Sequence, residues 1–146
     1  MTHQEMWAAY RAASPDAGEE YEAWAYGDDP DGLAELTRRG VKTATASAGV
    51  WYERGEEPLP RAGEYSVILD SREEAVCVIR TTNVYTVPFG QVGEEQAFRE
   101  GEGDRSLAYW RRVHEDFFRA ELAEAGLEFS PEMPVVCEEF EVVYPV

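Results

Sequence analysis

The stretch from Ala75 to Val87 constrains this chain more than any other: thirteen residues without glycine or proline, rich in valine, isoleucine, threonine and tyrosine. β-Branched and aromatic side chains suit a pleated, half-buried surface, so the stretch reads as a long strand. Val76, Val78, Arg80, Thr82, Val84 and Thr86 fall on one face, and Cys77, Ile79, Thr81, Asn83, Tyr85 and Val87 on the other. The first half is apolar on both faces and the second is polar on one, the pattern of a strand that leaves the core. Tyr65 to Leu69 form a second apolar run before it, and Asp70-Ser71-Arg72-Glu73 supply the polar hairpin connection.

A lone hairpin is marginal in water and needs other elements to cover it. Thr2-His3-Gln4-Glu5 has the form of a capping box, and Met6, Trp7, Tyr10 and Arg11 space a helical stripe that ends before Ser14-Pro15. Glu19 to Tyr26 and Gly32 to Arg39 read as two further helical pieces, with Gly40 placed as a C-terminal cap. Thr43 to Ser47 is β-compatible, Gly49-Val50-Trp51-Tyr52 suits a helical turn, and Gly55 to Gly63, with Pro58 and Pro60, is a loop. A short helix is expected from Glu94. The longest helix is expected from Ser106 to near Ala125, with Leu107, Trp110, Val113, Phe117 and Leu122 or Glu121 toward the interior. Val135 to Tyr144 closes the order as a last strand. No repeat or linker interrupts it, so residues 1–146 read as a single α+β domain, the first twenty or so forming an N-terminal helical extension.

Thirty acidic side chains against thirteen basic ones give a net charge of -17, which excludes a protein that grips duplex DNA through a broad basic surface. Neither a signal peptide nor an apolar run long enough for a membrane span is present, so a cytoplasmic location is expected. Cys77 and Cys137 lie in apolar runs without C-x-x-C spacing and are expected as core thiols. His3 and His114, the only histidines, are too far apart in sequence to suggest a zinc site, and no metal or cofactor is expected.

Twelve of the thirteen basic residues are arginine, and the single lysine is Lys42. An ammonium can lose its proton where a guanidinium cannot, so a lone retained lysine is a candidate for chemistry as well as for an ordinary surface position. It lies in Gly40-Val41-Lys42-Thr43-Ala44-Thr45-Ala46-Ser47, one lysine and three hydroxyls close together. In a regular strand Thr43, Thr45 and Ser47 share one face and Lys42 takes the other. Lys42 and Thr45 converge only if Gly40-Val41-Lys42 still belongs to the turn out of the preceding helix. Residues 38–61 hold five basic and three acidic side chains, a locally positive segment inside an acidic chain. The acidic Gly-rich stretch Glu100-Gly101-Glu102-Gly103-Asp104 matches neither a P-loop nor a dinucleotide turn, and Asp104 or Ser106 can cap the helix that follows.

Taken together, several segments resemble the ASCH domain family, which is related in fold to the PUA domains of RNA-modifying proteins. They are Gly40 to Thr45, Pro60-Arg61-Ala62-Gly63 leading into Tyr65 to Leu69, Val76 to Thr82, Val87-Pro88-Phe89, Glu100 to Trp110, Phe117-Phe118, and Met133 to Cys137. The resemblance runs from Tyr21 to Pro145 and implies a PUA-like small mixed β-barrel with flanking helices. Small bacterial members similar to this chain include amidohydrolases that deacetylate N4-acetylcytidine with a lysine, a threonine three residues later and a downstream glutamate. Lys42 and Thr45 match the first two by spacing, and Glu100 is the best match for the third. Other members bind RNA, and at least one is a ribonuclease.

The resemblance thus implies a hydrolase of a modified pyrimidine nucleoside, with Thr45 as nucleophile, Lys42 as proton acceptor or oxyanion charge, and Glu100 exchanging protons with the leaving amine. A non-catalytic RNA-binding module, or a metal-independent ribonuclease, is the alternative. The expected partner is a small nucleoside or a short single-stranded RNA. Thr43, Ser47, Arg105 and Ser106 offer hydrogen-bond donors beside the motif, and Trp51 offers a ring that can stack on a base or pack in the core.

Overall fold

A computed structural model describes residues 1–145. Five strands, β1 (Glu22–Ala25), β2 (Ala44–Ala48), β3 (Tyr65–Leu69), β4 (Ala75–Pro88) and β5 (Pro134–Tyr144), form one curled sheet in the order β1-β3-β4-β5-β2, with helices against it. The hairpin is its spine: β3 and β4 pair antiparallel, and β5 pairs antiparallel with the far side of β4. β2 adds to β5, and β1 adds parallel to β3. Register shifts between Val78 and Ile79 and between Thr81 and Asn83 mark irregularities where β4 runs along β5. Such irregularities bend a strand and increase its twist. The sheet curls into a half-barrel whose free edges, β1 and β2, do not pair.

The segment Glu19 to Tyr26, read above as helical, contains β1 instead. Alanine and glutamate favour a helix locally, but the open edge of β3 offers a ladder of backbone partners that the local sequence does not reveal. The other elements lie close to their expected places. α1 (His3–Ala13) carries the capping box, with Thr2 as its N-cap. Met6, Trp7 and Tyr10 of α1 pack on Val67, Leu69 and Val78 of the hairpin. α2 (Pro30–Arg38) covers Ile68, Cys77 and Ile79 through Ala34. A short α3 (Val50–Glu53) follows β2, and α4 (Glu94–Glu100) precedes the long α5 (Leu107–Glu124).

α5 presents Trp110, Phe118 and Leu122 to a core shared with Phe89, Val135 and Cys137. Each such side chain contributes roughly 1.5–3 kcal/mol on burial. Phe117, placed above on the same inner face, packs against that core and also lines a cavity beside it, and Val113 lines the same cavity. Cys77 and Cys137 are free and buried, and burial pushes both thiols up to about 12. Among the described residues no helix is long and apolar enough to cross a membrane.

Candidate functional site

Lys42 reaches its site because the chain has not yet left α2 when it arrives there. The backbone N–H groups of Val41 and Lys42 both donate to the Leu36 carbonyl, at 3.0 and 3.1 Å, and Gly40 takes a φ of 76° in the cap. Only at Ala44 does β2 begin. The turn therefore frees Lys42 from strand alternation, and its side chain, 1% exposed, enters the interior. Across from it, α4 ends on Gly101 at φ 73°; a Cβ there would stand 2.7 Å from the Val41 carbonyl oxygen, so glycine permits the two turns to meet. The Thr43 N–H donates to the Arg99 carbonyl at 2.6 Å and completes the junction.

The Lys42 ammonium donates to Glu100 Oε1 and to Glu102 Oε2, both at 3.2 Å, and stands 5.3 Å from the centre of the Tyr26 ring. Glu100 is itself 1% exposed and fully partnered. Its Oε2 accepts from Gln96 Nε2 at 3.1 Å and from the Trp110 indole N–H, and His114 Nε2 lies 3.4 Å from its Oε1. Burial pushes the Glu100 carboxyl up, but the charge of Lys42 and the His114 and Trp110 hydrogen bonds outweigh it and hold the group down to about 2. Glu100 is thus a fixed anion across the neutral range. Gln96 Nε2 also donates to the Thr45 carbonyl at 3.2 Å, while its Oε1 accepts from the Tyr85 hydroxyl at 3.0 Å. One amide therefore ties β2 to the carboxylate.

His114 stacks on Trp110 with ring centres 4.1 Å apart and an interplanar angle of 14°. Its Nδ1–H donates to the Trp110 carbonyl at 2.9 Å, which leaves Nε2 facing Glu100. Burial disfavours the charged ring, yet the hydrogen bond and charge of Glu100, with Glu102 beyond it, raise its pKa above the usual value. Glu100, Glu102 and His114 present ligand atoms within 4.8 Å of one another, a spacing that suits a metal ion. Lys42 already stands against both carboxylates, so an added divalent cation there would meet the ammonium's charge.

Two adjoining cavities lie on this side of the sheet, and the cluster forms part of the wall of the smaller one. The smaller, about 90 Å³, is lined by Lys42, Thr45, Glu100, Glu102, Val113 and His114 among others. The larger, about 730 Å³, lies in the seam between the unpaired edges β1 and β2. Tyr26, Gly27, Thr45, Ala46 and Phe117 line both. Thr45 thus stands at the junction, and in the β2–β5 register it lies opposite Glu138, which faces the larger cavity. Thr45 and Ser47, on one face of β2 by strand alternation, both line the larger cavity.

Of the residues singled out above, Lys42, Thr45 and Glu100 come together at the smaller cavity, and Ser47 and Trp51 line the larger one. Ser47 shares a 2.7 Å hydrogen bond with the Tyr52 hydroxyl, and Trp51 donates to Glu121 at 3.0 Å. Thr43, Arg105 and Ser106 line neither cavity. Thr43 bonds the Arg99 carbonyl, Arg105 braces the carbonyls of Phe98 and Val41, and Ser106 caps α5 by accepting from the Tyr109 N–H. The locally positive segment does not make a positive cleft. Arg38 pairs with Glu35 and Arg54 with Glu56 at the surface, while Glu22 on β1, Glu64 just before β3 and Glu138 on β5 line the cleft.

Sequence reasoning did not single out His114, Glu102, Gln96 or Glu138. The one available signal for His114 is the Trp110-x-x-x-His114 spacing, which puts both rings on one helical face. The ASCH domain model matches residues 22–144. Among solved structures, the chain is similar to the ASCH domain of Lactobacillus crispatus JV V101, at 35% identity and a TM-score of 0.91 over 97% of this chain and 94% of that one. It is also similar to a protein of Enterococcus faecalis V583, at 37% identity and a TM-score of 0.87 over 96% of this chain and 86% of that one. No curated protein matches the chain in sequence. Matched residues, identity and fold agree over nearly the whole length, and the chain belongs to the ASCH domain family.

Proposed function

We propose that this protein is an amidohydrolase that removes the acyl group from the exocyclic amine of a modified pyrimidine nucleoside of the N4-acetylcytidine kind. The observation that carries the reading is an ammonium held by a buried carboxylate in the wall of a small cavity that Thr45 also lines, next to a large cavity that shares Thr45. The small cavity suits an acetyl group, and the large one has room for a nucleoside.

In this reading the Thr45 hydroxyl oxygen adds to the acetyl carbonyl carbon, the carbon–nitrogen bond breaks, and the threonine proton leaves with the amine. Water then splits the threonine ester, releasing acetate and returning a proton to Thr45. Lys42 acts as a fixed charge toward the carbonyl oxygen, where negative charge develops. In this reading Glu100 is assigned to fixing the ammonium instead of the proton exchange that the family resemblance implies, an assignment supported by its contacts to Lys42, Gln96, Trp110 and His114. The proton relay is assigned to Glu102, which lines the small cavity and still touches solvent. The acid-lined cleft counts against the RNA-binding and ribonuclease readings, since both need cations for phosphate.

Incubation of the purified protein with N4-acetylcytidine, followed by ultraviolet absorbance and acetate release, tests the proposal. Turnover should fall at least about 100-fold in Lys42→Ala and in Thr45→Ala, the loss typical of removing one oxyanion or nucleophilic group. No turnover by the wild type, or turnover unchanged in both variants, removes the reading.

A further inference from the structure

The larger cavity carries information that the Lys42 cluster does not use. Its walls include five aromatic side chains, Trp24, Tyr26, Trp51, Tyr52 and Phe117, and no lysine or arginine lines it. At about 730 Å³ it falls within the size range of small-molecule sites. Glu138 stands in its wall opposite Thr45, on the same sheet face. Among the described residues its carboxyl has no ion-pair partner and accepts no hydrogen bond. Glu121, by contrast, already accepts from the Trp51 indole. The titratable groups that share the cavity with Glu138 are Glu22 on β1, Tyr26 just after it, Tyr52 on α3, Glu57 in the loop after α3, Glu64 just before β3 and Glu121 on α5. None is a cation. Burial first, then the charges of Glu22, Glu64 and Glu57, push the Glu138 carboxyl up to about 7.

An unpaired carboxyl between aromatic walls is suited to a planar group that brings its own N–H donors or positive charge. We propose that the larger cavity is a binding subsite for a planar amidinium or aminopyrimidine group selected by Glu138. An amidinium donates two adjacent N–H groups to the ionised carboxyl, and an aminopyrimidine donates its amine N–H while its ring nitrogen accepts from the protonated carboxyl. Phosphate and carboxylate groups are rejected by the same lining. Resting on the proposed function, this puts the amine half of the substrate in the larger cavity and its acyl half against Lys42. The subsite itself stands without that reaction.

Three probes of nearly one shape test it by calorimetry on the full chain: benzamidine, benzamide and benzoate. At pH 6.5 benzamidine should bind at least about tenfold more tightly than benzamide, and benzoate should not bind measurably. Titrations in buffers of different ionisation enthalpy should show a proton released as benzamidine binds, because the cation favours the ionised carboxyl. Glu138→Gln should lose about tenfold in benzamidine affinity and lose the proton release. Equal binding of all three probes, no benzamidine binding at millimolar concentration, or unchanged affinity in Glu138→Gln overturns the subsite. The probe series on the wild type decides the matter even if the variant folds poorly. Hydrolysis of N4-acetylcytidine without selective benzamidine binding defeats this inference and leaves the proposed reaction standing; selective binding without hydrolysis does the reverse.

Discussion

Glu100 and Glu138 are the same side chain on walls of the same cleft, both withdrawn from water, and they are driven in opposite directions. Burial pushes each carboxyl up. At Glu100 an ammonium at 3.2 Å, an imidazole at 3.4 Å and two N–H donors reverse that push and leave the group near 2. At Glu138 the neighbours are Glu22, Glu57 and Glu64, which add to it and leave the group near 7. The lesson is that partners, more than depth, decide charge in this cleft. One end is a fixed ion pair, and the other is an acid that changes charge at physiological pH.

The strongest way to break the contrast is to give Glu100 the surroundings of Glu138. Lys42→Met removes the ammonium and leaves a buried carboxylate short of its main partner, which should cost about 3–5 kcal/mol of stability. For a chain of this length that lowers Tm by about 10 °C or more. Changing Glu100→Gln in the same chain removes the orphaned charge and should recover most of the loss. Urea unfolding at pH 7 of the parent, the single and the double variant measures both steps. A Lys42→Met protein as stable as its parent would show that the ammonium is not what ionises Glu100.

The next test acts at the other end. With a folded value near 7 and an ordinary value near 4.5, Glu138 binds its proton more tightly when the protein is folded. The parent therefore loses stability as pH rises from about 4.5 to about 7, and the loss is constant above that window. Glu138→Gln has no such loss. Relative to the parent, the variant should be level near pH 4 and more stable at pH 8, by about 1–3 kcal/mol, the ceiling being the full shift converted to free energy. Unfolding curves of the two proteins at pH 4, 6 and 8 read the difference. A difference independent of pH would place the titration elsewhere.

The same distinction explains what the sequence could tell. The hairpin of β3 and β4, the capping box at Thr2 and the long helix after Ser106 are local patterns, written in alternation, spacing and caps. The convergence of Lys42 and Thr45 was legible as a condition, since Gly40 allowed the helical turn to persist through Lys42. Apart from Lys42, which the family resemblance grouped with Glu100, the distant partners of each carboxylate were not legible. Gln96 reaches Glu100 by i,i+4 spacing on α4, but Trp110 and His114 meet it only because α5 packs against α4, and Glu22, Glu57 and Glu64 meet Glu138 only because the half-barrel brings its edges toward one seam. β1 was missed for the same reason: its backbone partners lie on β3, more than forty residues along the chain. Summing charge over residues 38–61 therefore gave the wrong sign for the cleft.

A smaller effect sharpens the comparison by removing a minor partner of Glu100. The His114 ring is charged more readily in the folded protein, because Glu100 outweighs the burial that opposes it. Its contribution to stability should be fully present below about pH 6.5, the ordinary imidazole value, and should fade as pH rises through the raised folded value. His114→Gln keeps a polar side chain but cannot take that charge, so its deficit against the parent should be larger at pH 6 than at pH 9. The pH-dependent part should be about 1 kcal/mol, small for a bond to a charged group because 3.4 Å is long. Loss of the stack on Trp110 adds a part that does not vary with pH, so the slope carries the test and the absolute deficit does not. If the parent's near-neutral slope survives in His114→Gln and vanishes only in Glu138→Gln, proton exchange at physiological pH belongs to the open end of the cleft alone.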